Sequence, residues 1–305
     1  NIDSTDAKEY LEKGSAMVKS MSIDEYSGLA DKKDYACKIE DLELEDTTQL
    51  TEEQLLDQAL SAEDAMLKNK KITNSEGATR SISKNTYNII NSKGFNAKYS
   101  KTFHSISSIA IAGSDTNMQR DYEYSAATHA SDLLSAEKVG SLAAKRAASR
   151  LNSKKIKSCT LDVIFEPRVA KSILSSFCSC ASGTSIARGT SFLNNKLNTS
   201  IFKKNINITN NPKLKRGIGS APYDSSGIKT ENISIIQDGI FKNYFLNIRS
   251  ARQLKMPING NSSPSNLILN KGEQDIETLI KNIKNGFLVT EMLGMSFNPI
   301  NGDYS

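Results

Sequence analysis

The sequence predicts an α+β fold in which helices pack on antiparallel sheets, with two domains over residues 1–153 and 154–305. Two changes of hydrophobic period carry that prediction. Apolar residues recur at helical spacing up to about residue 69, alternate from 72 to 128, and return to helical spacing near 135. The second half is β-rich with interposed helices, and Gln237-Asp238-Gly239 between two apolar runs is a strong hairpin signal, because Asp-Gly tolerates the positive φ of tight turns. No solenoid-type internal repeat is present.

The elements follow in order. A helix over 5–21 opens with Asp6 and Glu9 at capping-box spacing and carries a stripe of Tyr10, Leu11, Met17, Val18 and Met21. The acidic run 40–46 is expected to be solvated. A second helix over 51–69 begins with Thr51 and Gln54, another capping-box pair. Short strands are expected at 78–83, 86–91, 95–102 and 107–112, turning at 91–94 and 113–115, as a meander with one face on the preceding helices. The helix over 135–152 has Lys145, Arg146 and Arg150 towards its C-terminal end, where cations favour the helix dipole. Beyond the polar segment 153–157, a strand at 160–165 leads into a helix at 167–181 with Pro167 in its first turn. The hairpin strands 232–236 and 240–245, helices near 247–255 and 274–285, and a strand near 287–293 complete the chain.

Composition narrows the function classes. The 305 residues suffice for two domains with a buried core, and 38% hydrophobic content argues against wholesale disorder. The net charge of +5 is spread out, and its clusters at Lys203-Lys204 and Lys213–Arg216 lack the interleaved aromatics of a nucleic-acid face, so no nucleic-acid partner is expected. No run reaches the roughly 18 apolar residues of a membrane span, so no membrane partner is expected. Cys37, Cys159, Cys178 and Cys180 are irregularly spaced, which reads as reduced thiols and a cytoplasmic location. Cys178 and Cys180 stand about 200° apart around a helix and read as structural thiols. His104 and His129 lack a spaced partner and read as surface or hydrogen-bonded residues. No Gly-x-Ser-x-Gly elbow occurs, and Gly217-Ile218-Gly219 is too short for a dinucleotide fingerprint.

A family resemblance then emerges. The runs 119–125, 186–193, 217–227 and 289–295, the segment Pro167-Arg168-Val169-Ala170 and the closing Gly302-Asp303-Tyr304-Ser305 resemble the TldD/PmbA metallopeptidase family in content and order. The likeness covers essentially the whole chain and falls on the PmbA (TldE) branch. In that family, TldD-like members carry His-Glu-x-x-x-His at the strand-to-helix join, with a later Cys, as zinc ligands. PmbA-like members generally lack this set and pair with a TldD subunit that cleaves small or unfolded peptides. Here Phe165 and Ala170 stand at the two His positions, and neither side chain has a lone pair for a metal. Glu166 occupies the general-base position; without a metal it is expected to serve as a helix N-terminal carboxylate facing free N–H groups.

The resemblance therefore implies no cofactor in this chain and zinc in a TldD-like partner. It further implies peptide substrates, with a homodimer as a state of the isolated chain. Relatives carry more sequence at both ends and a longer loop around 256–264, so truncation is expected. Thr190, Ser191, Phe192, Ser220, Tyr223, Asp224, Thr290 and Glu291 are candidates for a peptide groove or partner contact, with core and turn structure as the other reading. Three alternatives stay open: a metallopeptidase using other ligands, a non-enzymatic regulator of the DNA-gyrase-modulator type, and a non-functional gene fragment.

Overall fold

The computed structural model of the chain describes residues 4–293 and 296–303. Gly294, Met295, Tyr304 and Ser305 of the closing motifs lie outside the described residues.

Helix α1 (Ser4–Ser20) forms as its periodicity predicts, yet its stripe is open to solvent: Leu11, Met17 and Val18 are all exposed. Helix α2 (Glu52–Leu67) is fixed at its start by a true capping box, with Thr51 and Gln54 each accepting from the other's backbone N–H. Three antiparallel strands follow: β1 (Ile72–Ile90), β2 (Asn96–Ala112) and β3 (Gln119–Ala127), in the order β1-β2-β3. The four short strands expected over 78–112 are merged into two long ones. Their polar positions lie on the solvent face or pair across the ladder, as Ser81 does with Ser105, and do not break the strands. The turn at 91–94 stands as expected, with Asn91 Oδ1 accepting from the N–H groups of Lys93 and Phe95.

Helix α3 (Ala136–Ser149) lies beside α2, and the two cover one face of the sheet. The core between them is built from small residues. Ala62, Ala110, Ala112, Ala143 and Ala147 are buried around Met66, Ile106 and Val139. Gly140 permits that approach: a Cβ there would lie 1.9 Å from the Ala62 carbonyl oxygen.

The acidic run 40–46 departs in part from expectation: Glu40, Asp41 and Glu45 are exposed, but the segment is not free in solvent. It lies along the sheet with Leu42 and Leu44 buried, and the Leu44 carbonyl accepts from Thr102 N–H at 3.0 Å. Its side chains meet the basic residues: Glu40 pairs with Lys213, Glu43 with Lys215 and Arg216, and Glu45 with Lys84. The Asp46 side chain is only 7% exposed, accepting from Ala130 N–H and Thr48 N–H at 2.8 Å each. His104 is also fully buried, 3.2 Å from Asp46 through Nε2, while Arg80 donates to its Nδ1.

The second half begins with β4 (Asp162–Phe165), α4 (Pro167–Cys180) and α5 (Gly183–Ala187), the last unforeseen in the sequence. Then come β5 (Ile208–Asn210), β6 (Ile233–Gln237), β7 (Ile240–Phe241), α6 (Ile248–Gln253), β8 (Leu267–Leu269), α7 (Ile276–Asn282) and β9 (Gly286–Val289). One antiparallel sheet has the order β7-β6-β5-β8; its hairpin turns on Asp238 and Gly239, both with positive φ, as the sequence predicts. The core joins Phe241, Phe245, Ile235 and Leu193 to Cys178 and Ala181 at the end of α4. Burial pushes the Cys178 thiol up to about 12, which leaves it an inert packing group. β4 and β9 instead pair in parallel, a departure from the otherwise antiparallel α+β plan.

Gly140→Ala is expected to cost about 1–3 kcal/mol of stability, because α2 and α3 must separate to admit the methyl group; urea unfolding of the variant measures it. A second outcome concerns acid. Burial and the nearby Arg80 charge lower the pKa of His104, so below its ordinary value the unfolded chain takes a proton that the folded chain refuses. For Asp46, N–H bonds from Ala130 and Thr48 outweigh the opposing effect of burial and hold the carboxyl at about 2. Unfolding free energy should therefore fall in two stages, first as pH drops below about 6.5 and again between about 4 and 2. A pH series on His104→Gln should lack the first stage.

Candidate functional site

The join between β4 and α4 is the first candidate. Glu166 N–H donates to the Val289 carbonyl at 3.0 Å, extending the parallel ladder by one residue, and its own carbonyl accepts from Val169 and Ala170. Glu166 is the N-cap residue, with Pro167 at the first helical position. Its side chain makes no capping bond, contrary to the sequence expectation. The carboxylate instead accepts from Arg146 Nη1 at 2.9 Å, because the α3 guanidinium supplies a full charge where the helix end supplies a partial one.

Arg146 belongs to a larger network. Its Nε donates to Glu123 at 2.9 Å, and Arg168 Nη1 donates to Asp121 at 2.9 Å while lying 5.0 Å over the Tyr122 ring. Arg150 pairs with Asp121 and with Glu291, and the Thr290 carbonyl accepts from Arg168. Four carboxylates and three guanidiniums thus connect β3 and α3 to β4, α4 and the end of β9. The Glu166 hydrogen bond, foremost, raises the Arg146 pKa further. Burial works against the Asp121 charge, but the Arg168 bond and its neighbours outweigh it and lower that carboxyl. Arg146 and Arg150 thus serve this join more than the α3 dipole.

These donors do not suit zinc. Phe165 carries a half-exposed ring, Ala170 a methyl group, and Glu166 is already engaged by a cation. His104 lies in the first-half sheet with Arg80 on its Nδ1, and His129 donates from Nε2 to the Glu43 carbonyl.

The other candidate residues separate into three places. Thr290 and Glu291 join the ion network. Thr190, Ser191 and Phe192 form a turn: Ser191 is buried and donates to the Cys180 carbonyl at 2.7 Å, Phe192 packs at a tilt against Phe177, and Thr190 bonds back to Ser185. Ser220, also buried, donates to the Leu214 carbonyl and accepts from Asn266. Tyr223 and Asp224 line a cleft of about 400 Å³ between the tip of the β1–β2 hairpin and the loop at 260–265. Tyr223 anchors this side. Its hydroxyl donates to the Ala97 carbonyl at 3.0 Å, and its ring meets Phe95 and Tyr99 edge-on. The loop opposite is pinned by Asn210, which donates to Asn261 at 2.7 Å and accepts from Ser265 N–H. Sequence reading missed Tyr87, Tyr99 and the Asn210–Asn261 pair; the alternation of Tyr87 and Tyr99 with polar neighbours was a visible but weak signal.

The chain matches two family models: the PmbA/TldA metallopeptidase central domain over residues 45–151 and the PmbA/TldA metallopeptidase C-terminal domain over residues 158–305. It is 35% identical over 288 residues to a metalloprotease PmbA homolog of Buchnera aphidicola (subspecies Baizongia pistaciae), covering 93% of this chain and 64% of that protein's length. Its structure is similar to a candidate modulator of DNA gyrase from Bacteroides thetaiotaomicron, with a TM-score of 0.93 and 26% identity over 100% of this chain and 70% of that one. TldE from Thermococcus kodakarensis shares the fold, with a TM-score of 0.81 and 20% identity over 99% of this chain and 71% of that one.

The network yields a test. Arg146→Met leaves Glu123 and Glu166 without their shared cation and is expected to cost about 2–4 kcal/mol. Combining it with Glu123→Gln and Glu166→Gln should recover most of that loss in urea unfolding, which a purely steric effect of the methionine would not allow.

Proposed function

Because the chain belongs to the PmbA/TldA metallopeptidase family, we propose that it serves a peptidase assembly as the subunit that carries no metal. It would bind peptide and shape the chamber of a zinc-carrying, TldD-like partner in the cytoplasm. The observation that carries this reading is the state of Glu166. Zinc-assisted hydrolysis needs ligands that leave one position open for water. Here the join has a ring and a methyl group in place of two such ligands, and a guanidinium bonded to the remaining carboxylate. A carboxylate already bonded to an arginine is not free to orient a water, and with no metal ligands beside it that water is not activated.

The division into domains at residues 153 and 154 belongs to the same proposal, supported by the irregular segment before β4. Among the described residues, no helix is long and apolar enough to cross a membrane. The gyrase-modulator reading gains little from the Lys213–Arg216 cluster, because Lys213 pairs with Glu40 while Lys215 and Arg216 pair with Glu43, which offsets part of its positive charge.

Purified chain should contain well under one zinc per molecule by elemental analysis and should not cleave unfolded casein. Adding a partner with an intact His-Glu-x-x-x-His segment should give chelator-sensitive cleavage faster than the partner's own. Chelator-sensitive hydrolysis by this chain alone would overturn the assignment.

A further inference from the structure

Asp224 is among the residues lining the cleft beside Tyr223, and one of its carboxyl oxygens has no hydrogen-bond partner. Asp224 Oδ1 accepts from Ser226 N–H at 2.9 Å and from Ile228 N–H at 3.0 Å, closing a tight turn. Oδ2 is buried without any hydrogen bond, and the residue is only 9% exposed. Burial drives the carboxyl pKa upwards, so the charged form here lacks the counter-ion it needs. None of the described residues lining the cleft is a lysine or arginine, and Asp224 is the one carboxylate among them.

The remaining walls are chosen for a cation as well. Tyr87 and Tyr99 stack at 4.9 Å along one side, presenting aromatic surface that attracts ammonium groups and covers an alkyl stem. Ser262 and Ser263 place hydroxyls in the wall that are able to accept N–H bonds, while the Thr230 hydroxyl is already given to the Ala221 carbonyl. The backbone is tight at the rim: a Cβ on Gly260, which has φ +66, would lie 1.9 Å from the Lys229 carbonyl oxygen. A space of about 400 Å³ admits a side chain or a short peptide segment and excludes a folded partner.

We infer that this cleft is a binding site for an alkylammonium group, the lysine side chain of an extended peptide, with Asp224 as its counter-ion and Tyr87 and Tyr99 against its stem. The inference deepens the peptide-binding reading and rests on it for the source of the ammonium, though not for the charge selectivity.

Ligand-observed NMR titration of the full chain with three small probes tests it: Nα-acetyl-lysine amide, Nα-acetyl-norleucine amide and norleucine amide. The first should bind at least tenfold more tightly than the second, the margin of one charge-assisted contact. Asp224→Asn keeps Oδ1 as acceptor for both turn N–H groups, so the unfolding midpoint should be retained while the tenfold preference disappears. Equal binding of the two acetylated probes, or a preference unchanged in Asp224→Asn, would overturn the site. Tighter binding of norleucine amide would overturn the lysine assignment in favour of a peptide amino terminus. Asp224-dependent lysine binding in a chain that fails to assist any peptidase would support the site while removing the function proposed above.

Discussion

At the β4–β9 end, the two halves of this chain meet through charge more than through oil. β4 and β9 make a two-stranded parallel sheet whose Val163, Phe165 and Phe287 are all about half exposed. Parallel pairs are ordinarily buried on both faces, so apolar contact alone gives this one little support. What fixes it against the first half is the set of guanidiniums from α3 and α4 on carboxylates from β3, the α4 cap and the chain after β9. These groups are mostly shielded from water. Arg146, Glu123 and Glu166 are 21%, 13% and 20% exposed in their side chains, so their pairing is screened less than a surface bridge and costs more to break.

That constraint bears directly on function. A carboxylate at a strand-to-helix join can serve a metal, a helix end or another side chain, and the geometry selects the third. Arg146 supplies the positive charge that a metal would otherwise bring, fixed in place and without an open coordination position. The join is a structural clamp between the two halves. The second connection between the halves lies at the far end of the β1–β2 hairpin, where Phe95 and Tyr99 pack on Tyr223. That packing leaves a cleft at its edge, with an uncompensated carboxyl in its wall.

Much of the fold was legible in the residues themselves. The capping box at Thr51, the alternation through 72–128, the Asp-Gly hairpin and Pro167 at a helix start are local signals, because torsion preference and side-chain period act over a few residues. The solvated reading of 40–46 holds for Glu40, Asp41 and Glu45, which are exposed, and fails at Leu42 and Leu44 for a related reason. Leu42 and Leu44 alternate with the acids, and whether such a segment lies in water or on a sheet depends on an edge contributed by residues near 102. Likewise, β4 and β9 are about 120 residues apart, and no local pattern specifies that they pair in parallel.

By itself the sequence determined which chemistry Phe165 and Ala170 exclude, since a phenyl ring and a methyl group lack donor electrons in any fold. It determined too the type of most elements, through periodicity. Only the tertiary structure decided that Glu166 answers to Arg146, that His104 and Asp46 share a buried site, and that Asp224 keeps an oxygen without a partner. Those outcomes depend on which distant groups arrive within about 3 Å of one another and on how much water is excluded there, and neither quantity is written in neighbouring residues.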